Sequence, residues 1–425
     1  MNDDGPDGAE VALVSRRAFL GCALMSTATL LTAGSRARHP ADIEGSVAPG
    51  PARGANPERL GIFLCGDVMT GRAIDQILPH AVHPRLYEPY ITDAREYVAL
   101  AETVNGTIPR PVDYRYPWGD ALLVLDDFDP AVRIVNLETA VTTSATPWPD
   151  KGIHYRMHPG NVEVLKAARI DCCVLANNHV LDWHYPGLAQ TLDTLDAAGV
   201  ASCGAGGRAE RAAAPAIIPA SAHRRVLVFA FAAPDSGTPH AWAAADERPG
   251  VNLLSDYSAQ TATEIAALIE RYRRPGDVVV VSIHWGGNWG YRVPTAHRRF
   301  AHALIDRGVV DILHGHSSHH PRGIEVYRGR LVLYGCGDFI NDYEGIRGYE
   351  SFRGDLSLMY LPSIRPGDGQ LLGLTLVPLQ IRRFRLHRAA PADAEWLADM
   401  LNREGRVFGT RVDIDASGHL QLRWD

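Results

Sequence analysis

Four histidines fall within seven residues in Ile312-Leu-His-Gly-His-Ser-Ser-His-His-Pro321, directly after an apolar run that begins at Gly308. Imidazole is a neutral nitrogen ligand for transition metals, and a tight turn at the end of a buried strand can aim several rings at one point. Four more stretches offer groups of the same kind: Gly66-Asp-Val-Met-Thr-Gly-Arg72, Asn136-Leu-Glu138, Asn177-Asn-His-Val-Leu-Asp182 and His284-Trp-Gly-Gly-Asn-Trp289. Carboxylate, amide oxygen and imidazole together suit one or two divalent ions of borderline character, such as Mn, Fe or Zn. Such ions make water nucleophilic at neutral pH and neutralise charge on a phosphoryl or acyl transition state. No Cys-x-x-Cys pair is present, and Cys65 and Cys173 lie inside apolar runs, so thiolate ligation is not expected.

Each polar stretch needs an element that delivers it, and each follows a short apolar run of strand character, at 60–64, 132–137, 172–176, 278–283 and 310–313. Further strands are expected at 225–232, 331–339, 355–360 and 373–380, with a short strand pair ending at Trp424. Helical periodicity is expected over 161–168, 185–198, 258–272, 295–307 and 392–404. Strand and helix alternating this often give an α/β sheet covered on both faces. In such sheets the loops at the carboxyl ends of the strands form the ligand crevice, so five polar loops after five strands can converge on one site.

The chain of 425 residues carries a net charge of −7, and its positive charge is nearly all arginine, scattered, with lysine only at Lys151 and Lys166. Neither a basic patch nor an acidic tail stands out, so no nucleic-acid partner is expected. Ser15-Arg-Arg-Ala-Phe-Leu20, an uncharged stretch over 21–34 and small residues at Ser35 and Ala37 resemble a twin-arginine export signal. A leader is therefore expected over 1–37, a flexible linker rich in Pro, Gly and Ala over 38–58, and one folded domain over 59–425. That places the protein in the periplasm or cell envelope, membrane-anchored if the signal is uncleaved. The cysteines beyond the leader, Cys65, Cys172, Cys173, Cys203 and Cys336, are odd in number and sit mostly in apolar runs, which reads as core thiols.

Taken in order, Gly66-Asp67 through Arg72, Asn136-Leu137-Glu138, Asn177-Asn178-His179 with Asp182, His284-Trp285-Gly286, and Gly315-His316 through His319 resemble the motif series of CapA-type proteins. This family is named for poly-gamma-glutamate capsule synthesis. Its fold is similar to that of calcineurin-like metallophosphoesterases, which implies an α/β, metallophosphatase-like sandwich of two mixed β-sheets flanked by helices. The match runs from about Leu60 to Asp342, with Gly337-Asp338-Phe339 where the family usually has Gly-Asn-Phe.

The resemblance implies metal ligation by Asp67, Glu138, Asn178, His284, His316 and His319. Glu138 stands in for the bridging carboxylate, with Asn136 competing for the same space. It further implies His179 as a general acid held by Asp182, and Arg72 and Asn177 as substrate contacts, with Arg72 forking onto a phosphate or an α-carboxylate. Two departures stand out. Met69 takes the place of the phosphoesterases' first-motif histidine, which leaves one metal short of a nitrogen. His316 and His319 are spaced by three where phosphoesterases use two, and His314 with His316 has the closer spacing, so the pair that ligates is open. His184 and His320 are expected to be structural, and Trp183, Trp285 and Trp289 either pack in the core or wall the site.

Two classes of function follow. The first is an exported metal-dependent hydrolase acting on a glutamyl polymer or a phosphoester, within polymer synthesis, processing or export or as a general metallophosphoesterase. The second is a non-catalytic accessory that binds the polymer or membrane-bound synthase components and uses the metal structurally. No glycine loop ending in Lys-Ser or Lys-Thr is present, which argues against an ATP-dependent ligase.

Overall fold

The computed structural model describes residues 58–425; the leader expected over 1–37 and residues 38–57 of the expected linker lie outside the described residues. Two mixed sheets form a metallophosphatase-like sandwich with helices outside. In the larger sheet Leu60–Val68, Val132–Leu137, Cys172–Val174 and Ala201–Cys203 run parallel in that order. Beyond Leu60–Val68 it continues with the antiparallel strands Leu356–Ile364, Leu371–Arg382, Leu420–Trp424 and Thr410–Ile414. The chain after the histidine cluster thus supplies strands to both sheets. In the smaller sheet Arg330–Leu333, Ile312–His316, Val278–His284 and Arg224–Ala232 are parallel, between the antiparallel edges Ile324–Tyr327 and Ala216–Ser221.

The period of two along a strand decides what faces the site. Val226, Val228, Ala230 and Ala232 join the core shared with the larger sheet, whereas Leu227, Phe229 and Phe231 pack with the helices Ala259–Glu270 and Thr295–Asp306. Val278 and Val280 likewise face inward, and Val279, Val281 and Ile283 face the helices. The same parity turns Ser282, His284, His314 and His316 toward the larger sheet. Filling both faces demands apolar side chains throughout, hence the unbroken Val278-Val-Val-Val281, and each such burial contributes roughly 1.5–3 kcal/mol.

The helix Ala259–Glu270 begins where Ser258 accepts a hydrogen bond from the Thr261 backbone. Three helices between the first two strands, Arg72–Ile77, Ala94–Asn105 and Ala121–Phe128, were not expected from periodicity. The first is too short to show a repeat. The second does carry a sequence signal, the cap Asp93, whose carboxylate accepts from Arg95. The five cysteines in the described residues are buried free thiols. Among the described residues no helix is long and apolar enough to cross a membrane.

Candidate metal centre

Two facing rows of side chains end the parallel strands. In the larger sheet Asp67 is in register with Asn136 on one neighbouring strand and with Asp338 on the other. In the smaller, His284 and His316 are register partners. The backbones bearing Asp67 and Asp338 run so close that a Cβ on Gly66 would sit 1.6 Å from the Gly337 carbonyl oxygen, so glycine is required there. Ser317 adopts φ 95°, a conformation costly for a non-glycine residue, at the turn between His316 and His319. Its hydroxyl donates to the Gly286 carbonyl at 2.9 Å and ties that turn to the His284 loop.

Ligand atoms of Asp67, His284 and His316 lie within 4.8 Å of one another, and so do those of Asp67, His319 and Asp338. Glu138 Oε1 is 3.6 Å from His284 Nε2. Asp67 Oδ2, Glu138 Oε2, Asn178 Oδ1 and His284 Nε2 are buried without a hydrogen-bond partner among the described residues. Each such atom costs about 1–3 kcal/mol if nothing satisfies it. Burial, then the neighbouring Asp338, pushes the Asp67 carboxyl up to about 7. Burial, then Asp67 and Asp338, raises Glu138 well above the carboxylate range. Burial holds His284 and His316 well below the usual imidazole value, which keeps both rings neutral with one nitrogen each free to bind. Acceptors without donors, carboxylates short of positive charge and neutral imidazoles together fit a divalent cation.

The structure separates the histidines that spacing left open. His314 Nε2 lies 2.7 Å from the Cys65 carbonyl oxygen in the larger sheet and Nδ1 3.0 Å from Ser282 Oγ on the adjacent strand, so both nitrogens are already engaged. His316 Nδ1 instead faces His284 Nδ1 at 2.7 Å and Asp67 Oδ1 at 3.8 Å. His319 Nδ1 meets Asp338 Oδ1 at 2.9 Å. The carboxylate common to both clusters is Asp67, which lies in the middle of its row. Asn136 does not compete as a ligand: its amide donates to Asp67 Oδ1 at 2.7 Å and accepts from Asn177.

Above the cluster opens a cavity of about 900 Å³, lined among others by Glu138, Lys151, Asn178, His179, Trp289 and His319. His179 Nδ1 is 2.7 Å from Asp182 Oδ2, and the ring stacks on Tyr155 with centroids 4.0 Å apart. Lys151 Nζ lies 2.6 Å from Asp182 Oδ1 and 3.1 Å from His179 Nδ1. Burial, opposed by Asp182, lowers His179 to about 4, so the ring is neutral at pH 7.

The family model described as bacterial capsule synthesis protein PGA_cap matches residues 61–343, a span that contains the residues of both clusters and of the His179–Asp182 pair. The chain belongs to this bacterial capsule synthesis protein family. It is 49% identical to a probable polyglutamine synthesis accessory protein of Mycobacterium tuberculosis (strain H37Rv), over 84% of this chain and 94% of the relative. It is 27% identical to the PGA biosynthesis protein CapA of Bacillus subtilis, over 78% of this chain and 73% of the relative. With the capsule biosynthesis protein CapA of Bacillus anthracis it shares 24% identity over 73% of this chain and 66% of the relative.

In this member of the capsule synthesis family the two expected substrate contacts are engaged elsewhere. Arg72 borders the cavity, but its fork closes on Asp342 at 2.8 and 2.5 Å, its remaining nitrogen meets Glu88 at 3.0 Å, and Tyr97 lies beneath it. Asn177 is wholly buried; its amide nitrogen donates to Asn136 and Leu137, and its oxygen accepts from the backbones of His179 and Val180. It shapes the loop that carries Asn178 and His179 and touches no cavity space. Trp183 and Trp285 are buried, while Trp289 walls the cavity, stacked on Tyr349 at 4.0 Å. Residue-by-residue reasoning missed Lys151 and Asp338 as site residues. Lys151 had a signal, being one of only two lysines; Asp338 had one in its replacement of the family's asparagine.

Proposed function

We propose that this protein is an exported, metal-dependent hydrolase that serves as an accessory in the synthesis, processing or export of poly-gamma-glutamate or a related glutamyl polymer. The accessory role rests on family membership and on similarity to a probable polyglutamine synthesis accessory protein and to CapA. The hydrolase reading rests on one observation: His179, held from behind by the buried Asp182, lines the same cavity as Glu138, Asn178 and His319, beside a cluster of buried polar atoms that lack partners.

Asp67, His284 and His316 would hold a divalent ion, with Glu138 and Asn178 beside them. Such an ion supplies positive charge at the reacting centre and a water activated for attack. The chain's own part is proton delivery. Lys151 and Asp182 both meet His179 at Nδ1. Asp182 Oδ2, an acceptor only, takes the Nδ1–H of the ring at 2.7 Å, which leaves Nε2 as the nitrogen that exchanges a proton with a leaving group. Asp182, gripped by Lys151 and by the Tyr155 backbone N–H at 2.6 Å, fixes the ring's position.

The test is turnover of γ-glutamyl peptides and of phosphoesters by purified, metal-loaded protein. Wild type is expected to cleave the γ-glutamyl bond, and His179→Asn to lose about 100- to 10,000-fold in rate. Turnover unchanged in the variant overturns the mechanism; phosphoester cleavage alone makes the protein a general metallophosphoesterase. A wild type that binds metal and polymer but cleaves neither substrate leaves the binding accessory. Export is tested by replacing Arg16 and Arg17 with lysine, which should strand the protein in the cytoplasm.

A further inference from the structure

The sequence leaves the second metal position of this site short of a ligand at Met69, and the fold brings a different residue to it. Asp338 belongs to the short strand Asp338–Ile340, which pairs in parallel with Leu60–Val68 and places Asp338 in register with Asp67. The two Gly-Asp dipeptides lie backbone to backbone, with the Asp67 N–H donating to the Gly337 carbonyl at 3.0 Å. Asp338 is also held from behind. Ser357 Oγ donates to its carbonyl oxygen at 2.5 Å, and Asn341 donates to its Oδ2 at 2.8 Å, which leaves Oδ1 beside His319.

We propose that Asp338 is a metal ligand, completing with Asp67 and His319 a second divalent-cation position that shares Asp67 with the His284–His316 position. This rests on the metal reading given above. Asp67 and Asp338 are both buried carboxylates, 1% and 3% exposed, and His319 is the one imidazole between them. Two like charges brought together out of water need a counter-charge, and Asp67 Oδ2, buried and without a hydrogen-bond partner, is available to meet it. Here a carboxylate from the neighbouring strand takes over the task of the absent first-motif histidine. The exchange changes the chemistry of the position. The His284–His316 side offers two nitrogens and one carboxylate, whereas the Asp338 side offers two carboxylates and one nitrogen. The two positions therefore differ in preference, imidazole suiting Zn²⁺ or Fe²⁺ at the first and carboxylate suiting Mn²⁺ at the second.

The test is a count of Mn²⁺ on chelator-stripped protein, by equilibrium binding and by electron paramagnetic resonance, in wild type, Asp338→Ala and Asp338→Asn. Wild type should take two Mn²⁺ and show the spectrum of an exchange-coupled pair. Asp338→Ala should take one at saturation, with an uncoupled spectrum. The isosteric Asp338→Asn, which keeps the contact with Asn341 if alanine disturbs the fold, should bind its second Mn²⁺ at least tenfold more weakly. A coupled pair of unchanged affinity in both variants, or a single Mn²⁺ in wild type, overturns the proposal while leaving a metal site in place. A wild type that binds no Mn²⁺, Fe²⁺ or Zn²⁺ at all overturns the metal reading itself.

Discussion

His284 and His316 are register partners on adjacent parallel strands, and their Nδ1 atoms face each other at 2.7 Å. Neither imidazole is in a position to be charged, because burial depresses both. Each neutral ring keeps one N–H, so this contact is a hydrogen bond that a metal would replace, and the pair, unlike His314, groups its nitrogens with an Asp67 oxygen.

The histidines should therefore separate by what their loss removes. His316→Ala is expected to lower bound metal by one equivalent. His314→Ala is expected to leave metal content unchanged and to cost about 2–4 kcal/mol of stability, since it opens a cavity and strips the Cys65 carbonyl of its partner. Elemental analysis and urea unfolding of the two variants check this, and metal loss in His314→Ala would reverse the assignment.

Arg72 is expected to act through stability. Arg72→Met leaves Asp342 and Glu88 buried without their cation, which should cost about 3–5 kcal/mol in the denaturant midpoint. A variant of near-normal stability whose KM alone rises would restore Arg72 as a substrate contact.

Lys151 is expected to be a positioning residue for His179. Lys151→Met should reduce turnover about 10- to 100-fold and shift the His179 ring nitrogens in ¹⁵N NMR, since Lys151 Nζ lies 3.1 Å from Nδ1. An unchanged ring spectrum would mean that Lys151 only neutralises Asp182.

A pH effect on stability is expected from Asp75, away from the metal cluster. Its carboxylate accepts from the backbones of Val82 and His158 and from Asn161, yet burial pushes it up to about 6. A carboxyl whose folded value lies above its unfolded value of about 4 holds its proton more firmly when folded, so stability falls as pH rises from about 4 to 6 and is flat above. Asp75→Asn removes this slope, and the wild-type-minus-variant difference in unfolding free energy should decline by about 2–3 kcal/mol across that window. A difference independent of pH would refute it.

The strand runs of this protein were legible in its sequence because each buried strand must be apolar on both faces, and Val278-Val-Val-Val or Ile134-Val leaves no other reading. The principal donors were legible for a related reason: an aspartate, asparagine or histidine at the carboxyl end of such a run has few ways to avoid the crevice. What sequence could not supply was pairing. Arg72 meets Asp342 across 270 positions, His314 reaches the Cys65 carbonyl in the other sheet, and Asp338 arrives beside Asp67 through a three-residue strand with no periodicity to announce it. Residue type states what a side chain can bind, and the register between strands distant in sequence decides what it does bind.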